Sequence, residues 1–315
     1  MSHELSIQAD GTVEAAFAGK VPWHGLGQMV DEHMSVNEAL DAAHLRWKVA
    51  VEKIYYYGGE HSATTIPVPD KRAVIRMDNG EYFGTVGTRF KPIQNEEQAA
   101  FLESLVGEGN TVECVGALFG GRKVFWTVKC PSHMMIGGED RIDQYLILVN
   151  GHDGSVGFVC FWSPIRVVCN NTVRAAMRGM KSEQAVRFKH TTNIMDRIDD
   201  ARKTLEIGNQ YFTDLANHFE RFVDYKISDG VFKDYTKVLF DDKEDIRNII
   251  TTNYRAEQQT GTLWGAYNAV TQYADHQMRF RGKENREAKR FESVVYGPGQ
   301  RLKQKAFDLC IRAVA

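Results

Sequence analysis

The loop Gly151-His152-Asp153-Gly154-Ser155 places an imidazole, a carboxylate and a hydroxyl side by side, the groups that acid–base and nucleophilic catalysis use. A hydrolase or nuclease centred on His152, Asp153 and Ser155 is one reading. The other is a structural turn, with glycines supplying backbone freedom and Asp153 satisfying nearby backbone donors. Further on, Asn170, Asn171 and Thr172 precede Val173, Ala175, Ala176 and Met177. One of the three is expected to cap a helix whose exposed side carries Arg174 and Arg178. A metal centre needs several converging ligands, yet neither a His-x-x-x-His nor a Cys-x-x-Cys spacing occurs. His24 reads as a turn residue, Cys160 as a small buried hydrophobe, and Cys169 as a thiol without a neighbouring base. No catalytic residue, cofactor or metal is assigned. Gly116–Gly121 lacks the lysine and helix of a phosphate loop and reads as a hairpin turn, which disfavours ATP-driven chemistry.

Charge gives a second lead. Between Gly154 and His190 the bases Arg166, Arg174, Arg178, Lys181, Arg187 and Lys189 face one acid, Glu183, a local net charge of +5. Trp162 and Phe188 lie among them. Cations that follow a phosphate backbone and aromatic faces on which bases stack are the requirements of sequence-tolerant single-strand binding. A second basic run, Arg279 to Arg312, is interleaved with Phe280, Phe291, Tyr296 and Phe307. Its bases also suit a solvated helix face paired with the acidic stretch from 191 to 250.

The whole chain has a formal net charge of -2, so a polyanion site must be a local patch. Its 315 residues, 43% of them hydrophobic, suit about two domains. The five cysteines are odd in number and widely spaced, as expected of reduced thiols in a cytosol. Met1 to Lys20 lacks the apolar core of a signal peptide, and no apolar run is long enough for a membrane helix. These features give the expectation of a cytoplasmic protein with no membrane partner.

The elements that must hold these residues follow from periodicity. Ser35 and Glu38 form a capping box before an apolar stripe. Trp47 to Tyr57, Arg72 to Met77 and Glu81 to Val86 read as strands, the last two joined by Asp78-Asn79-Gly80. Asn95 opens a helix, Val112–Leu118 and Lys123–Cys130 form a second hairpin, and Tyr145–Val149 and Val156–Trp162 add two strands. Beyond Thr191 the period becomes helical, over Asn193–Phe222, Asp241–Tyr254, Thr262–Met278 and Gln300–Ala313. The expected fold is α+β: an antiparallel sheet with flanking helices, then a mainly helical region. The expected divisions are a flexible leader at 1–20, a core at 21–190 and a helical region at 191–315.

Val21-Pro22-Trp23-His24-Gly25-Leu26-Gly27, Asn150 to Ser155, Arg166 to Thr172 and Arg187 to Thr191 resemble a phage/plasmid-like family of unknown function. Trp264 to Val270 and Tyr296 to Gly299 extend the resemblance over nearly the whole chain. It implies residence on bacteriophages and mobile elements, hence in the cytoplasm of a bacterial host, and carries over no catalytic residue. The expected architecture is also similar to that of single-strand annealing recombinases, which combine a helix, an antiparallel meander and a basic groove. The leading expectation is a non-enzymatic single-stranded DNA binder, annealing strands as a homo-oligomer. Arg166, Arg174, Arg178, Lys181, Arg187 and Lys189 would contact phosphate, and Trp162 or Phe188 would stack on bases. The alternatives are a phage factor that binds a host protein to counter defence, and the hydrolase or nuclease at His152.

Overall fold

A computed structural model of the chain describes residues 4–19, 21–22, 24–30, 33–59, 64–105, 111–138, 140–163, 185–191, 193–241, 243–278 and 298–314. The fold is α+β, with largely antiparallel sheets and helices gathered in the C-terminal region. The chain divides into two compact units, Met1–Ser132 with Asp143–Asn209, and His133–Ile142 with Gln210–Ala315.

In the first unit a seven-stranded sheet has the order β10-β9-β8-β7-β6-β1-β2. Its strands are β1 (Ala15–Ala18), β2 (Gln28–Val30), β6 (Thr111–Leu118), β7 (Lys123–Ile136), β8 (Asp140–Gly151), β9 (Phe158–Ser163) and β10 (Ala185–Phe188). The β1–β2 contact is parallel, and β6 pairs antiparallel with β1. Alternate residues feed two apolar clusters, one on each face: Phe158 and Cys160 enter one, Val159 and Phe161 the other. Burial on both faces explains why these strands read as continuous apolar runs, not as an alternation with polar residues.

The expected leader is corrected by this sheet. Ala15, Ala16 and Phe17 have no exposed surface, and β1 lies between β6 and β2. A four-residue strand of mostly alanine is too short to show a period, so its place comes only from its partners.

The three-stranded sheet is the expected meander, with β3 (Val49–Tyr57), β4 (Thr65–Arg76) and β5 (Tyr82–Gly87) in that order. Its β4–β5 turn is closed by Gly80 N–H to Arg76 O at 2.9 Å and Glu81 N–H to Asn79 Oδ1 at 2.9 Å. Helix α1 (Val36–Ala42) carries the capping box at Ser35 and Glu38. Helix α2 (Asn95–Leu105) is tied to β3 by the side chain of Gln94, which accepts from Val49 N–H at 3.0 Å and donates to Val49 O at 2.9 Å.

Helix α3 (Ile198–Asp224) begins in the first unit, burying Ala201 and Leu205, and ends in the second, burying Phe219 and Phe222. The second unit continues with α4 (Asp229–Phe240), α5 (Glu244–Ala256), α6 (Leu263–Gln272) and α7 (Pro298–Val314). Its core includes Ile250, Ala266, Val270 and Cys310, all without exposed surface. A face-to-face stack of Phe232 on Tyr254, 3.9 Å between centroids, joins α4 to α5. Helix α4 escapes the periodicity reading, and Asp241, expected inside the next helix, instead ends α4 at a φ of 36°. The described cysteines Cys114, Cys130, Cys160 and Cys310 are buried and form no disulfide with one another.

Candidate functional site

The centre of the first unit is polar. Asn95 and Gln98, on the first turn of α2, have no more than 1% exposure and face Asn150 and His152 at the end of β8. The Asn95 amide donates to Leu45 O at 2.9 Å, which fixes its oxygen as an acceptor for Gln98 Nε2 at 3.2 Å and His152 Nε2 at 3.0 Å. His152 therefore carries its proton on Nε2, and Nδ1 keeps the lone pair. Gln98 Oε1 in turn accepts the Trp126 indole N–H at 3.2 Å. The imidazole of His152 lies edge-on to Trp47 at 5.3 Å and stacked on Phe83 at 6.2 Å. Burial drives its pKa down to about 3, with the charges of His190 and Arg76 acting in the same direction. A neutral ring with no exposed surface braces the sheet.

The rest of the loop is a turn. Asp153 Oδ1 accepts from Ser155 N–H at 2.9 Å and from its hydroxyl at 2.6 Å. The hydrogen bonds join Asp153 to Ser155 within the loop and His152 to Asn95 outside it. Gly84 of β5 lets the loop lie against the meander, since a Cβ there would stand 3.3 Å from Asp153 O.

Beside this loop, at Gly154, lies a surface groove of about 500 Å³. Arg89, Phe90, Gly154, Lys189 and His190 line it together with Asp70, Thr88 and Thr191. Two distant segments meet there through Lys91 N–H to His190 O at 2.6 Å, and Phe90 stacks on His190 at 4.7 Å. Burial holds the His190 imidazole below its ordinary pKa, opposed by the backbone at Val156 and Lys91 and by the charge of Asp153. Arg89 and Lys189 are exposed, and their side chains form no hydrogen bond or ion pair among the described residues. The groove thus offers two uncommitted cations beside an aromatic ring, an arrangement suited to an anion attached to a flat apolar group.

Of the expected phosphate contacts, Lys189 lines the groove and Arg187 is exposed on β10. Arg166, Arg174, Arg178, Lys181, Asn170, Asn171 and Cys169 lie outside the described residues. Of the expected stacking residues, Phe188 lies in the core and Trp162 is half-buried. Phe188 is 7% exposed, stacked on Phe158 at 5.7 Å, and the Trp162 indole donates to Leu205 O at 2.7 Å. An apolar strand buried on both faces uses its aromatics internally. Arg89 and Phe90 carried no signal in their own neighbourhood, while His190 lay within the Arg187 to Thr191 motif. Among the described residues no group of three His, Cys, Asp or Glu side chains could hold a metal, and no helix is long and apolar enough to cross a membrane.

No curated protein and no solved structure matches this chain. A family model does match, over residues 82–295, which include β5, α2, the His152 loop and most of the groove. The chain belongs to the family described as a domain of unknown function, DUF932.

Proposed function

We propose that the chain is a non-enzymatic single-stranded DNA-binding protein of phages or mobile elements, acting in the host cytoplasm and annealing strands as a homo-oligomer. One observation carries the reading: the groove in which exposed Arg89 and Lys189 flank Phe90 without spending their charge on other side chains among the described residues. Cations committed to neighbouring carboxylates have little attraction left for phosphate, whereas uncommitted ones release counterions when the backbone docks. The basic run from Arg166 to Lys181 joins β9 to β10, the strand that leads into Lys189. Duplex DNA keeps its bases stacked on one another, so an aromatic ring at the groove, here the half-buried Phe90, favours a single strand. Fluorescence anisotropy with labelled single-stranded and duplex oligonucleotides at two salt concentrations tests the reading. Tight, salt-sensitive preference for single strands supports it; absence of binding at low salt, or binding that ignores salt, overturns it.

A second reading, a factor that docks on a host protein, draws on the β3–β4 hairpin. Tyr55, Tyr56 and Tyr57 are 53%, 51% and 70% exposed there, next to Ile66. Exposed aromatic patches of this kind favour protein contacts. A stable complex recovered with host proteins in the absence of DNA affinity, lost in Tyr55→Ser/Tyr57→Ser, would favour it.

A further inference from the structure

The second unit has a groove of its own, about 400 Å³, between α4 and α5. Two contacts set these helices antiparallel: Phe232 stacks on Tyr254, 3.9 Å between centroids, and the Arg247 guanidinium donates through Nη1 to Asp241 O. Each helix gives the lining two cations, Lys233 and Lys237 from α4, and Arg247 and Arg255 from α5. The spacings of four and eight residues keep each pair on one face of its helix, about 6 Å and about 12 Å apart along the axis.

None of the four cations forms an ion pair among the described residues. Lys233, Lys237 and Arg255 are exposed, and Arg247 keeps Nε and Nη2 without a protein partner among the described residues. The groove does hold two carboxylates, Asp229 and Glu244, but each is exposed in the first turn of its helix, where its charge favours the N-terminal N–H groups. Lys233 and Lys237, one turn apart, repel each other. A concave surface with an excess of one sign of charge concentrates the field that attracts the opposite ion.

The walls select the kind of anion. The Asn248 side chain is exposed at the groove and adds an amide donor. The hydroxyls of Thr236 and Thr251 donate to Lys233 O at 2.9 Å and Arg247 O at 2.8 Å, so they have no proton left for a ligand. Phe232 and Tyr254 are each 4% exposed and cover one another, which leaves a base no ring face to stack on. Lysines act as point charges and arginines as forked donors, and both suit phosphate oxygens.

We propose that this groove binds a compact oligophosphate, an anion whose several charges match the four cations. The site goes beyond the strand-binding reading and does not rest on it. Phe90 offers the first unit's groove a ring for a base, whereas the α4–α5 groove reads charge alone. Two sources supply such a phosphate chain: a free oligophosphate and the tail of a nucleoside triphosphate.

Calorimetric titration of the full chain with sodium tripolyphosphate, with ATP and with sodium sulfate, all without magnesium and at one ionic strength, tests the proposal. Tripolyphosphate should bind saturably at 1:1, about tenfold or more tighter than sulfate. ATP bound as tightly as tripolyphosphate supports the nucleotide tail as the source, and weaker ATP binding supports the free chain. Lys237→Gln/Arg255→Gln should weaken tripolyphosphate by about tenfold or more, and Arg89→Gln/Lys189→Gln should leave it at the parental value. Thermal midpoints check that the variants remain folded. The proposal is overturned if tripolyphosphate does not bind, if sulfate binds as tightly, if the Lys237 and Arg255 variant binds as well as the parent, or if binding is lost in the Arg89 and Lys189 variant instead. A chain that binds tripolyphosphate but no single strand keeps this site and loses the strand-binding reading.

Discussion

The two cavities of the first unit differ less in composition than in what their charges are already doing. In the groove at Arg89 and Lys189 the cations are exposed, and their side chains have no partner among the described residues. In the other cavity, lined by Glu14, Asp78 and Arg76, the cation is buried and every one of its donors is taken. A count of charged residues would miss this distinction. Arg76 contributes one positive charge to either tally, but it acts as a structural pin that leaves its surroundings acidic. The pin also reaches the interior, since its guanidinium lies 4.4 Å above the Trp47 ring, which in turn abuts His152.

The largest effect should follow from removing the pin. Arg76→Met leaves Glu14 buried without a counter-charge and should cost about 3–5 kcal/mol in denaturant unfolding. A loss below about 1 kcal/mol would mean that the pair is not a structural tie.

Acid should act next, through His152. Its folded pKa lies below its unfolded value, so the unfolded chain binds the proton first; the stability is intact above pH ~6.5 and falls by about 1.4 kcal/mol per pH unit below it. The loss continues to the folded value of about 3. His152→Gln should flatten this limb between pH ~6.5 and ~4, before the Asp78 carboxylate near Arg76 begins to protonate. An unchanged slope would place the acid sensitivity elsewhere.

Reversing the groove, Arg89→Glu/Lys189→Glu, should lower single-strand affinity at low salt by about tenfold or more and reduce the salt slope, equally for all sequences. The same reversal should leave the acidic cavity and the Arg76 tie unaffected. Smallest of all, neutral replacements of the exposed charges, Asp10→Asn and Lys189→Gln, should change stability by less than about 0.5 kcal/mol. A larger change in either would show that the residue supports the fold as well as facing a cavity.

Much of the scaffold was legible from local chemistry. The Ser35–Glu38 capping box, the Asp78-Asn79-Gly80 turn and the Gly120-Gly121 hairpin depend on neighbours a few residues apart, which is the range that periodicity and turn chemistry read. The two cavities of the first unit were less legible because they join segments far apart in the chain. Phe90 meets His190 across a hundred residues, and Glu14 meets Arg76 across sixty-two. Neither pair leaves a motif. The burial of Phe188 and the tie of Trp162 escaped the sequence for the same reason: their surroundings come from Phe158, Phe101 and Leu205, none of which is adjacent in sequence.

The sequence by itself determined the α+β class, the change to helix after residue 191, the hairpin turns and the density of cations between Arg166 and Lys189, because each is set by local propensity or by simple count. The tertiary structure alone decided that Ala15–Ala18 is a strand inside the sheet, that His152 is a neutral brace, and which charges are free. Those outcomes depend on burial and on partner geometry. A side chain's charge is fixed by its type, but whether that charge is available is fixed by what the fold places against it.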